Sequence, residues 1–308
     1  MMPAMKRFIS LFALLLLVCV TSPAFAQSIL RDAESEALLA DMSRDLIKAA
    51  NLQPNNVRII LIGDPSINAF VAGGQAVYVH SGLIDAASSA NEVQGVIAHE
   101  LGHVTGGHVP LSDRMAKGAT GITILSLLLG AAAMAAGSAD AGMGLMQMGQ
   151  RAALGNFLAF SRAQEATTDA AGVRYLSGAG VSGRGMLDFF KKLQQQEYRW
   201  GLKRGGEQSH VMSHPMSGER IATLTADLQA DPAWSKPNDP ALEERFRRMQ
   251  AKLRGYVSDP KDTLKRYPET DTTVPARYAR AYAYHKSGYP EQAAAEAAAL
   301  VKAEPNNP

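Results

Sequence analysis

Cysteine is almost absent from this 308-residue chain: the only one, Cys19, falls in the apolar start of the sequence. Removal of that start leaves no thiol, so the fold is held by its core or by a metal and not by disulfides. A surplus of charge is also missing. Lys and Arg total 31 against 29 Asp and Glu, and the two excess cations, Lys6 and Arg7, both precede residue 27. The remainder is formally neutral, with no basic arm or acidic tail, and nucleic acid is not an expected partner. The first apolar run is short. Residues 8–20 fall well below the roughly 20 residues that a membrane span needs.

That start has the layout of a secretory signal. Lys6 and Arg7 lead the apolar run, and Ala24-Phe25-Ala26 forms a small-residue cleavage site before Gln27. Val18 stands where a small residue precedes a lipidated cysteine, which argues against a lipoprotein. We therefore expect a signal peptide over residues 1–26 and a periplasmic location, with membrane association left open.

At 46% apolar and 19% charged residues, the rest can build a sizeable core. Leu38, Leu39, Met42, Leu46 and Ile47 recur at spacings of three and four, a helical pattern over 27–51. A β-rich run at 57–62 ends in Gly63-Asp64-Pro65. Phe70-Val71 and residues 76–79 read as strands joined through Gly73-Gly74. A helix is expected over 88–106, opened by the capping box Ser89-Ala90-Asn91-Glu92 and closed by Gly106-Gly107. Further helices are expected over 151–177 and 186–200, and Pro232, Pro237 and Pro240 read as a linker. The fold class is α+β and mainly helical, with a small sheet beside the 88–106 helix. The division is 27–235 for the first domain and 236–308 for a helical tail.

Residues 118–139 carry no charge, and Met115, Met134, Met143, Met146 and Met148 cluster in or beside them. Glycine and alanine make the stretch less apolar than most spans, so it reads first as a buried or lid-forming helical hairpin. Peripheral membrane contact through 118–149, or a sticky surface for unfolded clients, is the alternative, and a true span is the third reading.

The chemistry begins at His99-Glu100-Leu101-Gly102-His103. Residues four apart share a helical face, so both imidazoles can converge on one Zn²⁺, with Glu100 positioned to take a proton from a water. Two histidines leave a catalytic zinc one protein ligand short. In the next long helix, Glu165 can complete the set, and Asp169, one turn on, can accept the far N–H of a ligand histidine. His214 precedes Pro215, which holds it in extended backbone on a loop; Arg220 follows six residues later. Of the other histidines, His108 is expected to pack near the site without ligating, and His80 to be a solvated strand end. His210 reads as a loop residue and His285 as a surface one.

These motifs, together with Asn68-Ala69-Phe70, the 77–79 strand and Ser161-Arg162-Ala163-Gln164-Glu165, resemble the zinc metallopeptidases of the glutamate-zincin kind that include the CAAX prenyl endopeptidases. The likeness runs from about residue 60 to 221. Among them it looks like the periplasmic members that handle outer-membrane β-barrel proteins. The resemblance implies a zincin-like domain that hydrolyses peptide bonds of misfolded or stalled outer-membrane proteins, with the barrel-assembly machinery as a further partner. It also implies that His214 can sit on the zinc as a fourth ligand and shut the site, with His214 or Arg220 supporting the transition state once the site opens. On this reading His99, His103 and Glu165 hold one zinc and Glu100 is the general base. Val77, Tyr78 and Val79 hold an extended substrate by strand addition. The competing reading is a periplasmic chaperone or assembly factor whose zinc site His214 keeps closed. Ala281, Tyr284, Gly288, Ala293 and Pro305 resemble a single tetratricopeptide repeat over about 274–308.

Overall fold

A computed structural model describes residues 28–201 and 214–305; the expected signal peptide, Cys19, His210 and Ser213 lie outside the described residues. The chain opens with strand β1 (Ser28–Ile29) and helix α1 (Ala33–Ala49), and Asp32 caps α1 by accepting from the Ser35 N–H. Strands β2 (Arg58–Gly63), β3 (Ala69–Ala72) and β4 (Ala76–His80) complete a four-stranded sheet in the order β1-β2-β4-β3. β3 and β4 form the expected antiparallel hairpin, with Gly73 and Gly74 at φ 61° and 94°, where a side chain is strained. β2 pairs with β4 in parallel, Arg58 opposite Ala76 through Ile62 opposite His80.

This order corrects two expectations. β4 is an inner strand, hydrogen-bonded to β2 on one side and β3 on the other, so Val77, Tyr78 and Val79 have no open edge for a substrate strand. The open edge beside them belongs to β3. For the same reason His80 is not solvated: it is 1% exposed, with Nδ1 2.9 Å from Ser66 Oγ and Phe70 against its ring.

After the short helix α2 (Ser81–Ala86) comes α3 (Ala90–Thr105), whose residues from Ala90 to His103 are all buried. Ser89 caps it by accepting from the Glu92 N–H, while the Glu92 carboxylate accepts from the Ser88 N–H, one residue earlier than the capping box requires. Lys192 pairs with the same carboxylate at 2.8 Å. α3 is the axis of the core. Around it pack α1, β3, α5 (Ala139–Ala179) and α6 (Arg184–Gly201). Two glycines permit the close approach: a Cβ on Gly95 would lie 2.5 Å from Met186 Cα, and one on Gly102 would lie 2.9 Å from the Thr168 carbonyl oxygen.

Helix α4 (His108–Ala135) and the first half of α5 form a long antiparallel hairpin turning at Gly137, which has φ 91°. α5 thus begins twelve residues before the 151–177 expectation, because the apolar stretch is helical on both sides of the turn. The stretch is not buried: its two arms cover each other and leave Ile124, Leu125, Leu128 and Met148 exposed.

α7 (Gly218–Ala230) and a 3-10 turn (Pro232–Ser235) lead to α8 (Pro240–Val257). The prolines read as a linker start elements: Pro232 and Pro240 stand at first helical positions, where the missing N–H is no loss. Phe246, Met249 and Leu253 of α8 enter the same core as Leu38, Val96 and Phe190. The chain then continues through α9 (Pro260–Arg266), α10 (Val274–Lys286) and α11 (Pro290–Ala303). Arg280, 1% exposed, ties the last two helices together by donating to Glu296 at 2.6 Å and to the carbonyls of Pro268 and Asp271. His285 is exposed, as expected.

Candidate metal centre

The site is built on the C-terminal half of α3, where the helical repeat puts His99 and His103 on one face with their Nε2 atoms 3.2 Å apart. α5 crosses this face at Gly102 and delivers Glu165 between them. One carboxylate oxygen lies 3.4 Å from His99 Nε2 and the other 3.4 Å from His103 Nε2. From the segment before α7, His214 brings Nδ1 to 2.9 Å from Glu165 Oε1 and 3.4 Å from His99 Nε2. All four side chains are buried, and one ligand atom from each lies within 4.8 Å of every other.

These separations suit a single zinc ion. Tetrahedral bonds of 2.0–2.1 Å place neighbouring ligand atoms about 3.3 Å apart, close to the spacings around His99, His103 and Glu165. The donor set of three imidazoles and one carboxylate has the chemistry zinc selects. Glu100 supplies an independent observation. It is wholly buried, and among the described residues neither carboxylate oxygen has a hydrogen-bond partner. His214 Nε2 stands 3.7 Å from Glu100 Oε1. A carboxylate in this position needs a partner, and a water admitted beside the cluster would supply one.

Behind the four donors lies a second layer. Asp169 stands 3.0 Å from His99 Nδ1, the arrangement expected from the spacing of Glu165 and Asp169, and directs the opposite ring nitrogen toward the cluster. Arg220 grips Asp169 in a fork at 2.7 and 2.8 Å, reaches Glu165 Oε2 at 2.9 Å, and donates to the Pro215 carbonyl at 2.8 Å. One guanidinium therefore braces the third donor, the orienter of the first and the backbone beside the fourth. The Phe190 ring packs edge-on against His99 and under the Arg220 guanidinium. His108 packs as expected: its Nδ1 lies 2.9 Å from His103 Nδ1 and 3.1 Å from Thr168 Oγ1.

The electrostatics follow from this packing. Burial opposes charge on His99, but Asp169 and Glu165 outweigh it and raise the imidazole to about 9. Burial pushes His103 down. Burial also resists ionisation of Glu165 and Asp169, yet the surrounding imidazoles hold the first far below the carboxylate range, and Arg220 with His99 depress the second.

Sequence reasoning missed the support of the His214 segment. On α6, Glu197 accepts from the Met216 N–H at 2.9 Å and Gln194 donates to the Met216 carbonyl at 3.3 Å. Neither residue belongs to a motif, and only the amphipathic pattern of α6 could have placed them on an inner face. A cleft of about 490 Å³ adjoins the centre between α5 and α7, with Glu165, Asp169 and Arg220 in its wall beside Leu158, Ala166 and Leu224.

The chain is similar to several known proteases. The chain is 33% identical over 184 residues to metalloprotease LoiP of Escherichia coli K12, covering 59% of this chain and 66% of that one. It is 32% identical over 186 residues to metalloprotease YcaL of the same organism, covering 59% and 65%. The β-barrel assembly-enhancing protease of that organism is 26% identical over 177 residues, 58% of this chain but 35% of the relative. The matched part thus spans just under two thirds of the first two proteins and about one third of the last. The family model for peptidase family M48 matches residues 33–227, a span that includes His99, His103, Glu165, His214 and Arg220, and the chain belongs to that family.

Proposed function

We propose that the protein is a zinc-dependent endopeptidase of the periplasm that cleaves misfolded or stalled outer-membrane proteins. The observation that carries the chemistry is Glu100, a buried carboxylate without a hydrogen-bond partner among the described residues, next to a four-donor cluster. His99, His103 and Glu165 would hold the zinc. When bound, the metal supplies a Lewis acid that makes water a nucleophile near neutral pH and polarises a carbonyl. Glu100 takes the proton of the attacking water and passes it to the leaving amine. Asp169 keeps the His99 ring in the ligating tautomer, and Arg220 keeps Asp169 and Glu165 charged and in place.

In the arrangement described, His214 occupies the fourth position of the cluster, where a scissile carbonyl would have to bind. It must withdraw before a substrate enters. After withdrawal, His214 can donate to the oxyanion, whereas Arg220, held by four contacts, acts as a positioning residue. An extended substrate would add to the open edge of β3, next to α3, in place of the inner strand β4. Secretion through residues 1–26 and work on outer-membrane proteins, alongside the barrel-assembly machinery, are supported by the N-terminal signal pattern and by the name of the β-barrel assembly-enhancing relative. The tail helices α10 and α11 would serve as a tetratricopeptide-like docking hairpin.

The place of His214 in the cluster also favours a second reading, an assembly factor whose zinc site stays closed. Incubation of the purified, zinc-loaded protein with an unfolded outer-membrane β-barrel separates the two. The peptidase reading predicts cleavage by wild type and faster cleavage by His214→Ala. If neither cuts while both retain zinc, the assembly-factor reading prevails. If wild type cuts and His214→Ala does not, His214 serves catalysis and is not a latch.

A further inference from the structure

The α4–α5 hairpin is built inside out. Where its arms touch, the backbones approach at small residues, with Met134 and Met146 folded over the contact: a Cβ on Gly130 would lie 2.7 Å from the Gly142 carbonyl oxygen and 2.5 Å from Met146 Cγ, one on Gly142 would lie 2.5 Å from the Gly130 carbonyl oxygen beside Met134, and one on Gly149 would meet Ser126. Most of the other large apolar side chains face outward. Leu125 is 57% exposed, Leu128 64%, Met148 69% and Leu154 59%. A hairpin made for water does the reverse, burying its leucines between the arms and presenting polar residues outside. Small residues at the helix contact with leucines around the perimeter is how helices associate in lipid, where apolar side chains gain nothing by hiding from the surroundings.

The exposed residues also say what covers them. Leu127, Leu128 and Leu129 follow one another at 100° steps and cover most of the circumference of α4, and all three are exposed. A protein partner covers one face; a lipid phase surrounds the whole element. α4 is long and apolar enough to cross a membrane, and only 11% of its most apolar window is buried in the protein. Charge points the same way. From residue 113 to residue 162 there are four cations, Arg114, Lys117, Arg151 and Arg162, all exposed, against two carboxylates, Asp113 and Asp140. Three of the cations lie toward the body of the protein. Asp140 lies at the far tip, in the first turn of α5. From Lys117 to the turn at Ala136 is about 29 Å of helix, which matches a hydrocarbon layer of about 30 Å.

We propose that the α4–α5 hairpin inserts into an anionic phospholipid bilayer, with its leucine and methionine side chains in the hydrocarbon and Arg114, Lys117 and Arg162 at the headgroups. Arg151, about 18 Å along α5 from Ala139, is the one of these four cations that falls inside the layer, and the tip with Asp140 reaches the opposite polar layer. Both arms arise at the metal centre, α4 directly after α3 and α5 through Glu165, so insertion fixes the site at the membrane surface. The inference rests on the hairpin alone and stands whether or not the centre hydrolyses peptides.

The test is flotation of the purified protein with vesicles of phosphatidylcholine alone or with about a third phosphatidylglycerol. The comparison is the double variant Leu125→Asp/Leu128→Asp. Both positions are exposed, so its far-ultraviolet circular dichroism should match wild type. Wild type is expected to float with the anionic vesicles, about tenfold or more strongly than with neutral ones at low salt, and the double variant to remain in the dense fractions. The proposal is overturned if wild type stays dense with both vesicles, or if the double variant floats equally well. It is also overturned if the substitutions abolish only self-association or only capture of unfolded protein, since a second copy or a client would then be the occupant.

Discussion

Asp169 Oδ1 lies 3.0 Å from His99 Nδ1, and the same carboxylate is gripped through both oxygens by Arg220. This chain of contacts fixes the tautomer of the first candidate zinc donor from a helix that also supplies the third candidate. Asp169→Asn can leave the amide oxygen in place but removes the charge that raises the basicity of His99. Zinc affinity should fall about 10- to 100-fold, read by competition with a chelator, with little change in the circular dichroism spectrum. Unchanged affinity would show that Asp169 serves packing only.

Arg220 should matter more to stability than its distance from the nucleophile suggests. It is 9% exposed and neutralises two buried carboxylates, so Arg220→Ala leaves Asp169 and Glu165 short of their counter-charge. We expect a loss of about 3–5 kcal/mol in urea unfolding. Arg220→Lys should lose less, because a charge remains although the fork is lost. Equal losses for the two variants would argue that shape, and not charge, is the contribution.

Gly102, inside the histidine pair, is a packing residue for the site. A methyl group there would press on the Thr168 carbonyl at 2.9 Å and move α5 away from α3. Gly102→Ala should destabilise the fold by about 1–3 kcal/mol and weaken zinc binding, since Glu165 travels with Thr168. Stability and zinc affinity equal to wild type would remove this account of the glycine.

The N-terminal cap gives a pH-dependent signature away from the metal. Burial resists ionisation of Asp32, but donation from Lys252 and Ser35 outweighs it and holds the carboxyl below its usual 3.8. A carboxyl depressed in the folded state binds fewer protons there than in the unfolded chain. Its contribution is present above the unfolded value and disappears as pH falls through the folded one. Asp32→Ala should therefore cost about 1–2 kcal/mol near pH 6, and the gap to wild type should narrow as pH falls below the usual 3.8. A gap that is constant with pH would mean that the charge contributes nothing.

Much of the site was legible in sequence because its geometry is local. A four-residue helical spacing fixes the relation of His99 to His103, and the same spacing sets Glu165 against Asp169. Three-dimensional placement could not be read in the same way. Val77, Tyr78 and Val79 looked like a substrate strand because alternation identifies a strand but not its neighbours. The crossover that puts β3 outside β4 also buries His80. The uncharged 118–139 stretch looked buried because apolar residues usually are; only the contact at Gly130 and Gly142 shows which side faces out. Pro232 and Pro240 looked like a linker because a first helical position and a chain break accept proline for the same reason, the absent N–H.

The central claim is that Glu100 moves the proton while the other side chains hold the metal. Zinc content and peptide-bond cleavage should be measured together for wild type and Glu100→Gln. The account predicts about one zinc per chain in both proteins and a fall in turnover of about 10²-fold or more in the variant. Near-wild-type cleavage by Glu100→Gln with zinc in place would contradict it.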